Sequence, residues 1–175
     1  MEKRFISAES LVRDGYALAL QVLESGWRPD HLVGVWRGGS PVAIAAHEAL
    51  SFKGLTLDHS PIAARSYTGL DQRTREVALS GLDALSATLP AGSRLLVVDD
   101  VLDRGHTLAA VMDALKGRYD VRAAVAWFKP ERNETPLRPD YHIHETADWL
   151  VFPHGLEGLT PEEIAKHKPV PDGFL

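Results

Sequence analysis

LLVVDDVLDRGHTL, residues 95–108, joins two features that conflict electrostatically. Four consecutive apolar residues run into Asp99 and Asp100; Val101 and Leu102 follow, then Asp103, Arg104, Gly105, His106 and Thr107. The apolar run predicts a buried strand. Gly105 permits positive φ, and Thr107 stands where a new apolar stretch begins, so a helix is expected from there to about Gly117. Successive amides at such a turn point at one spot, and the helix dipole favours an anion there. Thr107 adds a hydroxyl donor, and Arg104 and His106 add charge. Three carboxylates therefore flank a loop suited to a phosphate. The conflict disappears if the acids face something other than the phosphate. Paired acids hold sugar hydroxyls, or a magnesium ion that already carries phosphate oxygens. The segment is not a Walker loop, because GxxxxGK[ST] is absent. Nor is it a dinucleotide fingerprint: the glycine spacing is wrong, and the acids precede the loop instead of following it by roughly 20 residues.

The neighbouring segments set this motif in an order of elements. Residues 7–25 carry apolar positions at helical spacing, with Ser7 as N-cap and Gly26 as the stop. HLVGVW, residues 31–36, reads as a buried strand, RGGS as a glycine loop, and the Ala-rich stretch 41–50 as a helix that Pro41 opens. Residues 55–67 are extended, with Pro61 marking a bulge or an edge. Residues 66–76, SYTGLDQRTRE, read as a mobile loop, VALSGL as a return strand and PAGS, residues 90–93, as a turn. Further strands are expected at 94–100, 121–128, 141–145 and 149–152, and a short helix after Thr160. Alternating strands and helices predict an α/β fold, a twisted and mainly parallel sheet flanked by helices. Such sheets bind ligands at the carboxyl ends of their strands, where both RGGS and DRGHT fall. Trp27, Trp36 and Trp127 read as core.

Bulk properties narrow the function classes. The 175 residues, 45% hydrophobic, suit one domain with a sizeable core. The net charge of −5 argues against a general polyanion-binding surface, so no nucleic-acid partner is expected. The absence of cysteine removes disulfides, thiolate metal sites and cysteine nucleophiles. The first residues lack the apolar core of a signal peptide. No stretch approaches the roughly 18 apolar residues of a membrane span. A soluble, cytoplasmic protein with no membrane partner is expected.

The strand, the DDxxD acids, the glycine loop and the helix together resemble the phosphoribosyl-pyrophosphate (PRPP) motif of the type I phosphoribosyltransferases. Asp99, Asp100, Val101, Leu102, Asp103, Gly105 and Thr107 match its pattern, whereas Arg104 stands where the family usually has Thr. The resemblance spans roughly residues 30–155. It implies one phosphoribosyltransferase domain over residues 1–175: a core of about 30–130, and a small hood from the N-terminal segment and about 131–175. Residues Arg104, Gly105, His106 and Thr107 would then grip the 5′-phosphate. Asp99 and Asp100 would hold the ribose hydroxyls and Mg2+. Asp103 would be the catalytic base near the purine N7.

Three further segments extend the resemblance. VWRGGSPVA, residues 35–43, is similar to the family's pyrophosphate loop, with Arg37 and Gly38 as its contacts and an unusual peptide geometry implied. ARSYTG, residues 64–69, is similar to the lid of purine-using members, through Ser66 and Tyr67. WFKP and ADWLVFPHG resemble the base site of the 6-oxopurine enzymes: Lys129 would donate to O6, Trp149 would stack, and Leu150 and Val151 would offer backbone groups. In WLVFPHGLE, His154 replaces an aromatic and Gly155 falls where an acid is usual; Glu157 could substitute if the turn differs. The resemblance implies transfer of phosphoribose from PRPP to guanine, hypoxanthine or xanthine, by a homodimer or homotetramer. Two alternatives stay open: a nucleotide-sensing regulator on the same fold, and a transferase for another base. HIHE, residues 142–145, could hold a metal, but no third ligand is evident.

Overall fold

The computed structural model describes residues 3–68 and 75–175. Its elements, in chain order, are β1 (Lys3–Phe5), α1 (Ala8–Glu24), β2 (His31–Trp36), α2 (Ser40–Phe52), β3 (Asp58–Thr68), β4 (Arg75–Ser80), α3 (Leu82–Thr88), β5 (Arg94–Leu102), α4 (His106–Leu115), β6 (Asp120–Phe128), β7 (Tyr141–Glu145), β8 (Trp149–Val151) and α5 (Pro161–His167). A six-stranded sheet has the order β4-β3-β2-β5-β6-β7. All its neighbours pair parallel except β4, which runs antiparallel to β3. β5, the strand of the quoted segment, lies between β2 and β6 and is buried on both faces. That position explains its unbroken apolar run.

Strand alternation divides the core into two layers. Leu32, Leu96, Val98, Ala124 and Ala126 face α1 and α2, packing with Leu11, Leu18, Val42 and Leu50. Val33, Val35, Leu95, Val97, Ala123 and Val125 face the other way, onto Leu108, Val111, Met112 and Leu115 of α4. Ser7 caps α1 by accepting from the Ser10 amide at 3.0 Å. Thr160 caps α5, with Glu163 reaching back to complete a capping box.

Several expectations need correction. Trp36 is not core: it is the last residue of β2 and is 53% exposed, while Trp27 and Trp127 are buried. The loop expected at 66–76 is strand at both ends. Ser66, Tyr67 and Thr68 of β3 pair with Val77, Glu76 and Arg75 of β4, and the tip, 69–74, lies outside the described residues. Helix α3 escapes sequence reading because it has seven residues and buries only Leu85, too few to set a period. Strand β1 escapes because three residues carry no alternation; it pairs parallel with β8 in a separate two-stranded sheet. α1 packs against α2 and the main sheet, so of the first 25 residues only β1 joins that small sheet. β7 extends the main sheet past residue 130. Pro61 lies in the half of β3 that β4 does not reach, where its missing N–H interrupts no second ladder.

The crossing of α1 and α2 depends on Gly15. A Cβ there would stand 2.6 Å from the Ala45 Cβ and 2.8 Å from the Val42 carbonyl oxygen. Gly to Ala inside a helix normally stabilises by about 0.5–1 kcal/mol. Here overpacking reverses the sign, and Gly15→Ala should cost about 1–3 kcal/mol in urea unfolding. A gain in stability would contradict the close crossing.

Candidate active site

The carboxyl ends of β2, β5 and β6 meet at one edge of the sheet, and each supplies one part of the site. From β5 come Asp99 and Asp100, 7% and 8% exposed. The Asp100 amide donates to Asp99 Oδ1 at 2.9 Å. From the end of β2 comes the glycine loop, entered through a cis peptide between Trp36 and Arg37. Arg37 is exposed. The two glycines rest directly on the acids. A Cβ on Gly38 would fall 2.5 Å from Asp100 Oδ2, and one on Gly39 would fall 2.6 Å from the Val98 carbonyl oxygen and 2.7 Å from the Asp99 Cα. Gly39 has φ −68°, so space, not backbone conformation, dictates glycine here.

The loop after β5 turns through Gly105, at φ 87°, into α4, which begins at His106. The first-turn amides of a helix have no partners within it. Residues Asp99 to Leu108 line a cavity of about 350 Å³ that contains both the acids and this turn. A second cavity of about 350 Å³ is lined by Asp103, Lys129, Trp149, Leu150, Val151, His154 and Glu157, among others. Asp103 lines both cavities and joins them. The turn after β8 thus brings Glu157 into the second lining together with Gly155. Trp149 is 53% exposed, so its ring is open to a ligand rather than spent on core packing.

Tertiary contacts add residues that local spacing did not reveal. Lys129, buried at the end of β6, donates from Nζ to Asp103 Oδ2 at 3.2 Å. Arg132 Nε stands 2.7 Å from Asp103 Oδ1, so this carboxylate sits between two cations. His154 Nε2 lies 3.3 Å from Asp100 Oδ2. Glu134 accepts from Arg104 Nη1 at 2.9 Å and from His106 Nε2 at 2.7 Å. Arg132, Glu134 and His154 lie 29, 30 and 54 residues along the chain from their partners, and only the fold brings them together.

The histidines of the HIHE stretch find partners outside this site. His144 pairs with Asp14 at 2.9 Å and His142 with Glu145 at 3.1 Å. Among the described residues, no group of three or more His, Cys, Asp or Glu is arranged to hold a metal ion. Ser66 and Tyr67 belong to β3, which pairs with β2 on the side away from β5.

Burial pushes the Asp99 carboxyl well above the usual carboxylate range, and the adjacent Asp100 carboxylate adds to the push. A carboxyl with a higher pKa folded than unfolded holds its proton more tightly in the folded state. Its stabilising contribution is full below the ordinary carboxylate pKa and is lost as pH rises through the raised value. Asp99→Asn keeps the acceptor for the Asp100 amide and removes the ionisation. It should raise the neutral-pH Tm and flatten the stability profile above the ordinary carboxylate pKa of about 4. A lower Tm at neutral pH would contradict this account.

Comparison with known proteins gives the geometry a context. The phosphoribosyl transferase domain model matches residues 6–159. A xanthine-guanine phosphoribosyltransferase of Chromohalobacter salexigens is 30% identical over 150 residues, covering 85% of this chain and 81% of that protein. The bifunctional protein PyrR of Corynebacterium diphtheriae is 28% identical over 170 residues, covering 89% and 88%. Among solved structures, a purine phosphoribosyltransferase from Pyrococcus horikoshii superposes with a TM-score of 0.70 at 26% identity, covering 91% of this chain and 99% of that one.

Proposed function

This chain belongs to the phosphoribosyl transferase domain family, and on that premise we propose that it transfers phosphoribose from PRPP to a 6-oxopurine: guanine, hypoxanthine or xanthine. Its architecture is the type I phosphoribosyltransferase fold. One observation carries the proposal. Two cavities of about 350 Å³ share Asp103 as common lining, one rich in phosphate-loop and acidic groups, the other lined by a buried lysine and an open tryptophan. A base and a ribose held in the two cavities would meet at that carboxylate.

In this reading the first-turn amides, Gly105, Thr107, Arg104 and His106 hold the 5′-phosphate. Arg37 and Gly38 hold the pyrophosphate. Asp99 and Asp100 take the ribose hydroxyls and Mg2+. Two adjacent carboxylates, with Asp99 raised in pKa first by burial and then by Asp100, form a hard-oxygen donor pair suited to magnesium that keeps waters and phosphate oxygens as its remaining ligands. Bound magnesium would mask pyrophosphate charge and so favour its departure. Lys129, which can only donate, accepts a 6-oxo group as partner and disfavours a 6-amino group. Trp149 stacks on the base, Leu150 and Val151 offer backbone groups, and Ser66 and Tyr67 belong to a lid that excludes water.

The reaction forms a bond from the purine nitrogen to ribose C1′ and breaks the bond from C1′ to pyrophosphate, which leaves with the electron pair. Asp103 takes the proton that the base loses, near N7, and its charge stabilises the cationic sugar centre. Lys129 and Arg132 hold this carboxylate in place between the cavities. Positioning supplies much of the rate.

The whole chain is read as one domain. The small β1–β8 sheet and α5 form the hood, held together by Lys3 and Glu163 at 2.7 Å. A homodimer or homotetramer would cover Trp36 and Ile44, which are 53% and 65% exposed. The absence of cysteine suits the cytoplasm. Among the described residues, no helix is long and apolar enough to cross a membrane. A second reading, a regulator that binds PRPP or a nucleotide and acts on nucleic acid, is favoured by the likeness to a protein named bifunctional PyrR. The net charge of −5 weighs against it.

The test incubates the protein with magnesium, PRPP and each of guanine, hypoxanthine, xanthine, adenine and uracil, and follows nucleotide formation. Product with a 6-oxopurine and none with adenine is expected. No product with any 6-oxopurine would refute the substrate assignment. Asp103→Asn should lower kcat by about 10²–10⁴ and leave PRPP binding nearly unchanged; an unchanged kcat would remove its role.

A further inference from the structure

The segment after β6 clasps the phosphate loop along its length. The Lys129 amide donates to the Leu102 carbonyl at 2.9 Å, and the Glu134 amide to the Arg104 carbonyl at 3.1 Å. Asn133 and Thr135 pack so closely over Gly105 that a Cβ there would lie 2.5 Å from both side-chain oxygens. Those two side chains are themselves fixed: Asn133 Oδ1 accepts from the Thr135 amide and hydroxyl, and Asn133 Nδ2 donates to the Leu137 carbonyl at 2.7 Å. Within this clasp the two Glu134 oxygens are divided between two basic side chains of the loop, Arg104 at 2.9 Å and His106 at 2.7 Å. Arg104 and His106 line the phosphate-loop cavity, and Glu134 does not.

We propose that Glu134 is a positioning residue that sets the affinity for the 5′-phosphate, by holding the Arg104 guanidinium and, where it is protonated, the His106 ring on a carboxylate outside the cavity. The inference rests on reading the 104–107 turn as the PRPP phosphate site. A phosphate dianion entering the cavity competes with Glu134 for both cations. It wins because it carries about twice the carboxylate's charge, but it binds more weakly than it would to free cations. This is the role of Arg104 where the family usually has threonine. The arginine adds a charge to the site, and Glu134 offsets part of it, so the shared 5′-phosphate of substrate and product is not held too tightly for release. The clasp's backbone bonds and its packing on Gly105 do not involve the Glu134 carboxylate, so removing that charge leaves the loop's path intact.

The experiment is isothermal titration of PRPP, and separately of ribose 5-phosphate, into the protein, Glu134→Gln, and Glu134→Gln made in an Arg104→Ala, His106→Ala background. Glu134→Gln should tighten both ligands by about three- to tenfold, since the two ion pairs it removes are half-exposed. The tightening should weaken with added salt, and it should vanish in the background that lacks both cations. In steady state the KM for PRPP should fall, and kcat should fall or hold. Unchanged or weaker binding by Glu134→Gln, or equal tightening without the two cations, would overturn the inference and leave the phosphate site standing. Failure of the unmodified protein to bind either ligand would overturn the phosphate-site reading and this inference with it.

Discussion

The site depends on one close approach. Gly38 and Gly39, at the end of β2, lie so near the end of β5 that neither has room for a Cβ: Asp100 Oδ2 would stand at 2.5 Å from the first and the Val98 carbonyl oxygen at 2.6 Å from the second. Parallel neighbours in a sheet end side by side, so their loops crowd into one space. Here the crowding sets a glycine loop directly over two buried carboxylates. The backbone of the glycine loop and the acidic pair then share a wall without a side chain between them. Burial pushes the Asp99 carboxyl well above the usual carboxylate range, and Asp100 adds to the push.

The same sheet edge provides the second junction. Asp103 lies three residues past Asp100, beyond the end of β5, where it lines both cavities and sits between Lys129 and Arg132. A carboxylate between two cations is fixed in position and has its charge partly balanced. Such a carboxylate presents a fixed negative charge where the two cavities meet. The segment 129–135 runs from the cavity lined by Lys129 to the 104–106 turn that lines the other cavity. The two halves of the site are therefore built on one short piece of chain.

Much of this was legible in the sequence, for identifiable reasons. β5 announces itself because a strand buried on both faces must be continuously apolar, and the acids that follow stand out against that run. The RGGS and DRGHT loops are legible because glycine at a strand end marks close approach or positive φ: Gly38 and Gly39 show the first, and Gly105 shows both. Arg132, Glu134 and His154 were not legible, since each acts on a residue far away in sequence. Trp36 was misread because the apolar pattern of β2 gives no sign that its last residue emerges from the sheet. Elements as short as β1 and α3 fall below the length at which periodicity carries information.

The central claim is that the glycine loop and the acids act as one PRPP site, and Gly38→Ala tests it most directly. The three atoms nearest the added methyl all belong to the Asp100 side chain, which can shift, so the fold should survive with little change in Tm. Calorimetric titration of PRPP in magnesium should then show binding weakened at least about tenfold, a loss of roughly 1.4 kcal/mol. A folded Gly38→Ala protein that binds PRPP as tightly as the unmodified chain would contradict the account.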